Sequence, residues 1–272
     1  PEADFKAIAA LREHPRLRQL GSEVMGNMNA PSTGSKSEFW RDWDTEQTFL
    51  PVLRQRGLKF GLFKLTNGTY QLNFRKQPLK DLSFLRGAPI SELTLDSCDV
   101  TNLESLKDLR LRVLNLDGNP IEDLSPLRGM PLEELSLGKT NVADLSPLIE
   151  LPLKKLYLHG CPRLTDLSVV AEIATLEKVT VPTAARNIEL LRTLPKLQML
   201  AFELAEQLPF FPVSTADEFW KDLAANPWLT QLRDSGIRIN LLRRLPDRTW
   251  SIDLENSAIS DLTFLKGAPI SN

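Results

Sequence analysis

Several things are scarce in this chain, and each scarcity closes a door. Only 2 cysteines and 2 histidines occur in 272 residues. That excludes a disulfide-rich scaffold and argues against a structural zinc site, which needs four ligands drawn mostly from those types. Charge of one sign is also lacking: 33 basic residues face 35 acidic ones, a net of −2. A nucleic-acid binder would show a basic excess or stripe. No apolar run approaches the ~18 residues of a membrane span, and no signal-peptide pattern opens the chain. Aromatics are 7% of the residues. The chain begins at Pro1 without a Met and stops at Asn272 inside a pattern that elsewhere runs on, so it reads as a fragment of a longer protein.

What is abundant is leucine, 50 residues of 272. Apolar pairs split by one residue supply a ruler. Leu72–Phe74, Leu93–Leu95, Leu114–Leu116, Leu135–Leu137, Leu156–Leu158, Val179–Val181 and Leu200–Phe202 start at intervals of 21, 21, 21, 21, 23 and 21. A second marker follows the first five: Asp81-Leu-Ser-Phe-Leu85, Asn102-Leu-Glu-Ser-Leu106, Asp123-Leu-Ser-Pro-Leu127, Asp144-Leu-Ser-Pro-Leu148 and Asp166-Leu-Ser-Val-Val170. The period lies in the range of leucine-rich repeats. Each apolar pair is a short strand whose ends point inward and whose middle residue points outward. Stacked at ~4.8 Å, the strands form a parallel sheet. The second marker is too short for an ordinary α-helix and predicts a 3₁₀-like turn. The expected fold is an α/β solenoid: a leucine-rich-repeat horseshoe of 21-residue coils, with a concave parallel sheet and a short 3₁₀ or irregular convex side.

A longer period overlies the short one. Glu38-Phe-Trp40 recurs as Glu218-Phe-Trp220, and Asp81–Ile90 recurs nearly intact as Asp261–Ile270, both offset by 180. Leu11-Arg12, Pro15, Leu17 and Leu20 match Leu191-Arg192, Pro195, Leu197 and Leu200 at the same offset. Residues 1–34 therefore read as the tail of one module. Residues 35–213 read as a complete module (cap 35–71, repeats 72–203, link 204–213), and 214–272 as the cap and first coil of a third. Ser35–Glu38 and Thr215–Glu218 fit the capping-box pattern that starts a helix. Asn226-Pro227 predicts a break into two short helices. Gly57 and Gly236 read as helix stops. Asn67-Gly68 marks a hairpin between 58–65 and 69–74, whose outgoing strand would begin the sheet. A second hairpin is expected around Pro246-Asp247. The helix pairs and hairpins would cap the solenoid, since terminal coils need covering.

The unit Asp123–Leu137 resembles bacterial leucine-rich repeats of the internalin-like kind. Together with Ile188–Leu197 and Asp217–Trp220, it is similar to repeat regions attached to serine/threonine protein kinases of some environmental bacteria. The resemblance implies a sensor or scaffold lying outside a catalytic domain. No glycine-rich nucleotide loop, His-Arg-Asp or Asp-Phe-Gly is present. Attached to a membrane kinase, such a region would face the cell surface or periplasm; otherwise it would lie in the cytoplasm.

The chemistry-bearing residues have plain structural explanations. Gly138-Lys139-Thr140 lacks the upstream glycine of a phosphate loop, since Glu133 stands there. Cys98 and Cys161 hold the same coil position as Asn119 and Thr140, a site for inward residues, and are expected to be buried free thiols. Three coils apart, or ~14 Å, they are too distant for a disulfide. His159 points out where Cys161 points in, and neither has further ligands at metal spacing. His14 precedes Pro15 and reads as solvated. Asn67-Gly68-Thr69 is formally a glycosylation sequon, but the hairpin accounts for it. Phe39, Trp40, Phe219 and Trp220 hold matching cap positions, which favours core packing. No catalytic, metal or cofactor-binding residue is assigned.

Function is therefore sought on the concave sheet. Residues flanking and splitting the inward pairs face outward there, and the candidate binding face is Asn73, Thr94, Asp96, Asn115, Asp117, Ser136, Lys155, Tyr157, His159 and Thr180. It is acidic early (Glu92, Asp96, Asp117, Glu134), with Lys155 and Lys178 later. A face ~30 Å long at strand spacing suffices for an ordinary protein interface. Tyr157 is the expected anchor, tyrosine being enriched at hot spots. The favoured reading is a non-enzymatic scaffold for a protein or peptide ligand, with no nucleic acid, no cofactor and no membrane insertion within the fragment. A spacer or surface array without a specific ligand is the alternative.

Overall fold

The computed structural model describes residues 44, 49–202, 214–234, 241–245, 247, 249–254 and 262–271. A short helix α1 (Leu50–Gln55) leads to Gly57, which at φ +64 takes the left-handed conformation that ends a helix. Strands β1 (Gly61–Lys64) and β2 (Tyr70–Arg75) form an antiparallel hairpin. Its turn is closed by Gly68 N–H donating to Leu65 O (3.0 Å) and Leu65 N–H to Thr69 O (2.8 Å). Asn67 Oδ1 accepts from Thr69 N–H (3.0 Å), the local bond that favours Asn in turns.

From β2 onward the sheet is parallel. Strands β3 (Ile90–Asp96), β4 (Val113–Asn115), β5 (Glu134–Ser136), β6 (Lys155–Tyr157), β7 (Lys178–Thr180) and β8 (Met199–Ala201) follow in sequence order, giving eight strands in an open sheet. The apolar ruler is also the register: Leu72 faces Leu93, then Leu114, Leu135, Leu156, Val179 and Leu200 in turn. These residues and their partners two positions on form one continuous buried core with the convex leucines. One coil could not bury them alone; stacking does it.

The convex markers fold as expected, into 3₁₀ turns at Ser83–Leu85, Glu104–Leu106, Ser125–Leu127 and Ser146–Leu148. The leading Asp or Asn has a physical task. Asp81, Asn102, Asp123 and Asp144 each accept, through Oδ1, the backbone N–H two residues on, at 2.7–2.8 Å. That bond satisfies a donor the short helix leaves open. Hydrogen bonds from Ser83, Ser125 and Ser146 hold the Asp81, Asp123 and Asp144 carboxyls below the usual carboxylate range. The coil of 23 residues departs from the expected 3₁₀ turn. It carries α2 (Ser168–Glu172), because one extra residue before and one after the marker, with Val169 in place of Pro, allow a full α turn.

The strand exits repeat at backbone level. Lys76, Ser97, Gly118, Lys139 and Gly160 stand at one coil position and all have φ between +50 and +68. Glycine takes this conformation without a Cβ penalty and fills it twice.

Beyond Ser214, helix α3 (Ala216–Ala225) and helix α4 (Pro227–Asp234) are separated at Asn226, as the Asn-Pro pair predicts. Thr215 and Glu218 form the reciprocal capping box. Phe219 is buried and Trp220 packs against the core. Strands β9 (Leu241–Arg244) and β10 (Trp250–Asp253) make the second hairpin. Trp250 bridges in parallel to Ile270, just beyond a 3₁₀ turn at Thr263–Leu265. The expected capping box at Ser35–Glu38, the packing of Phe39 and Trp40, residues 1–34, the link 204–213 and the stop at Gly236 lie outside the described residues.

Candidate functional site

The outward face of the sheet has three columns. The middle one is its floor and contains Asn73, Thr94, Asn115, Ser136, Tyr157, Thr180 and Ala201, in register from strand to strand. Alternation places these side chains away from the leucine core, yet Thr94, Asn115, Ser136, Tyr157 and Thr180 are all buried. Tyr157 corrects the sequence expectation most sharply. It is 0% exposed and is no accessible anchor. The floor lies between two flanking columns, with Lys155 before Tyr157 on its strand and His159 at the strand's exit. Burial, together with the nearby Glu134 charge, pushes its phenol above the usual range.

Buried polar floor residues bond to their surroundings. Asn115 Oδ1 accepts from Asp117 N–H (2.9 Å), and Ser136 Oγ donates to Asp117 Oδ1 (2.6 Å). Thr180 Oγ1 accepts from the N–H groups of Leu158 (3.0 Å) and His159 (3.3 Å). It also lies 3.4 Å from His159 Nδ1. Asn73 Oδ1 is buried with no partner among the described residues.

The third column reads Arg75, Asp96, Asp117, Gly138, His159. Asp117 Oδ1 also accepts from Gly138 N–H at 2.7 Å. Even so, burial and the Asp96 charge raise its carboxyl to about 6, against the pull of those hydrogen bonds and of Lys139. His159 moves the other way, to about 4, through burial and the Lys139 charge. Its ring lies over Gly138: a Cβ there would sit 2.2 Å from His159 Cε1. Gly138 is thus glycine because the next coil's imidazole occupies its side-chain space.

The first column carries Gln71, Glu92, Val113, Glu134, Lys155, Lys178 and Met199, all partly exposed. Burial, then the Glu134 charge, raises the Glu92 carboxyl. Lys155 Nζ pairs with Glu134 Oε2 at 2.6 Å. None of Glu92, Asp96 and Asp117 is ion-paired among the described residues. In the acidic half only Glu134 is therefore ion-paired among the described residues, while the other three carboxylates are partly buried without such a pair.

Sequence reasoning missed Phe63. It is 53% exposed and faces Gln71 across the hairpin, while its neighbour Leu62 packs against the core. It stands on the outward face at the sheet's first strand. The sequence reading starts the sheet at the hairpin's outgoing strand and so gives its incoming strand, 61–64, no place on the outward face.

The inner side of the strand exits is different in kind. Cys98 and Cys161 are buried free thiols, pushed up by burial. Cys161 Sγ donates to Leu137 O at 3.0 Å. Asn119 accepts from Cys98 N–H (3.0 Å) and Val100 N–H (2.9 Å), and donates to Leu95 O (2.7 Å) and Leu116 O (2.8 Å). Among the described residues no cluster of three His, Cys, Asp or Glu could hold a metal, and no helix is long and apolar enough to cross a membrane.

In-register 21-residue coils, a parallel sheet, inward leucines and 3₁₀ convex turns define a leucine-rich-repeat solenoid. Among solved structures the chain is similar to an internalin (InlF) of Listeria monocytogenes, with 22% identity over 58% of this chain and 48% of that one, at a TM-score of 0.43. It is also similar to internalin C2 of the same organism, with 23% identity over 48% of this chain and 69% of that one, at a TM-score of 0.38. The chain spans about half the length of the first. No protein-family model matches it, and neither does any curated protein.

Proposed function

We propose that this chain is a non-enzymatic scaffold whose outward sheet face binds a protein or peptide. Its partner carries a cationic stretch over the acidic half, β3 to β5. One observation carries the reading: Asp117, beside Asp96, is held half-buried with its carboxyl raised to about 6 and no ion pair. A charge kept in that state destabilises the folded chain at neutral pH, and a cation from a partner relieves it. Phe63, rather than Tyr157, supplies an accessible aromatic anchor at one edge. The setting within a larger bacterial protein such as a receptor-like kinase rests on the sequence resemblance alone. Sequencing the reading frame on either side of Pro1 and Asn272 tests it.

The buried floor favours a second reading, in which the modules are a spacer with no specific ligand. One titration separates the two. A lysine-rich dodecapeptide and its glutamate counterpart are titrated into the full chain at low and at physiological salt. The scaffold reading expects the basic peptide to bind, with affinity falling as salt screens the contact. The pair Glu92→Gln and Asp96→Asn should weaken it by ~10-fold or more, since rim and interface charges steer and hold such partners. The convex pair Asp123→Asn and Asp144→Asn, equal in charge change, should leave it unaltered. Equal loss from both pairs would mean nonspecific attraction and support the spacer.

A further inference from the structure

Strand β8 ends the run of parallel strands, and the outward edge of such a strand is a row of open donors and acceptors. Here the edge is occupied. Leu200 N–H donates to Ser214 O at 3.2 Å, and Ala216 N–H donates to Gln198 O at 2.8 Å. Met199 and Thr215 form an antiparallel bridge. Ser214 Oγ adds a bond to Leu200 O at 2.6 Å. The segment that closes the sheet is the one that opens the next module.

Side chains continue the closure. Directly after Thr215 the capping box starts α3, which lays Phe219 against Phe202, with ring centroids 5.0 Å apart. Trp220 meets Phe219 edge-on at 5.2 Å. The Arg192 guanidinium, from the 3₁₀ segment Ile188–Thr193, lies 4.0 Å over the Trp220 ring. Glu189 holds that guanidinium from behind at 2.7 Å. Backbone pairing, aromatic packing and a cation–π contact thus join the last coil of one module to the cap of the next.

We propose that the β8 edge and the Ile188–Thr193 turn are a docking surface whose occupant is the cap of the following module. Each cap then serves two sheets: its helices seal the sheet before it, and its hairpin starts the sheet after it. A solenoid needs a covered end, and this arrangement supplies one at every boundary without a dedicated C-terminal cap. The chemistry is written twice in the sequence, since Arg12 and Trp40 repeat Arg192 and Trp220 at the offset of 180. Successive modules joined this way share a folding unit rather than hang on a free linker.

The Leu200 amide reads the seal directly, because its bond runs to Ser214 and to nothing within its own module. Hydrogen exchange on the full chain compares it with Leu137, whose N–H donates to Tyr157 O inside the sheet at 2.8 Å. In the unaltered chain Leu200 should be protected to within about tenfold of Leu137. Phe219→Ala, and separately Arg192→Ala, should speed Leu200 exchange at least tenfold. Either a selective loss at Leu200 or a joint loss at Leu137 and Leu200 supports the seal, the second placing both modules in one cooperative unit. A freely exchanging Leu200 in the unaltered chain, or protection indifferent to both substitutions, overturns it.

Discussion

Asn119 and Asp117 stand two residues apart on one strand exit, and the fold treats them oppositely. Asn119 points into the coil, where its amide answers two N–H groups and two carbonyls and leaves nothing unsatisfied. Asp117 points out, receives two hydrogen bonds, and still carries a carboxyl raised to about 6. The inner column is optimised for holding coils together. The outer column retains a carboxylate that makes no ion pair among the described residues. On the proposed reading, stability and recognition are divided between two faces of the same short turn, as expected where a functional surface departs from the local optimum.

The largest way to break the comparison is on the inner side. Asn119→Ala leaves the Cys98 and Val100 donors and the Leu95 and Leu116 acceptors buried without their partner. The expected loss is about 3 kcal/mol, since each stranded buried group costs ~1–3; chemical denaturation measures it. Next comes Gly138→Ala, whose methyl meets the His159 ring. Displacing that ring should cost about 1–3 kcal/mol, the range for overpacking. It should also return the imidazole pKa from about 4 toward 6.5, which NMR titration reads.

A finer probe uses pH. The folded pKa of Asp117 lies above its ordinary 3.8, so its penalty is complete above pH 6 and fades as pH falls from 6 to 3.8. The folded pKa of His159 lies below its ordinary 6.5, so its contribution is complete above 6.5 and is lost as pH falls toward 4. The two slopes oppose each other over the same window. Asp117→Asn should stabilise the chain at pH 7 by about 2 kcal/mol, allowing for solvent screening. It should also steepen the loss on acidification. His159→Gln should do the reverse, leaving a chain that gains stability between pH 6 and 4 relative to the unaltered one. Parallel melting curves for all three proteins would contradict both assignments.

Much of this architecture is legible in the chain, because a period of 21 residues is also a register. Once Leu93 stacks on Leu72, Leu114 must follow, and the Asp-Leu-Ser marker has one place to turn. The helix at Ser168–Glu172 escaped that reading because the interval of 23 shows two added residues but not that they let the turn wind into an α-helix. On the outward face, alternation names the side a residue faces but not its depth. Tyr157 was therefore placed on the correct face and expected to be open, whereas the flanking columns leave it buried. Asp117 shows the same limit. Its position follows from the spacing, but its raised pKa needs burial and the nearness of Asp96, which only three dimensions supply.

The central claim is that the outward face keeps a carboxylate in want of a cation. The carboxyl-carbon NMR titration of Asp117 in the full chain measures it, alone and with the lysine-rich dodecapeptide at saturation. The account predicts a midpoint near 6 in the free protein that moves down when the peptide is bound. A midpoint near the ordinary 3.8 in the free protein, or one near 6 that the bound peptide leaves in place, would contradict it.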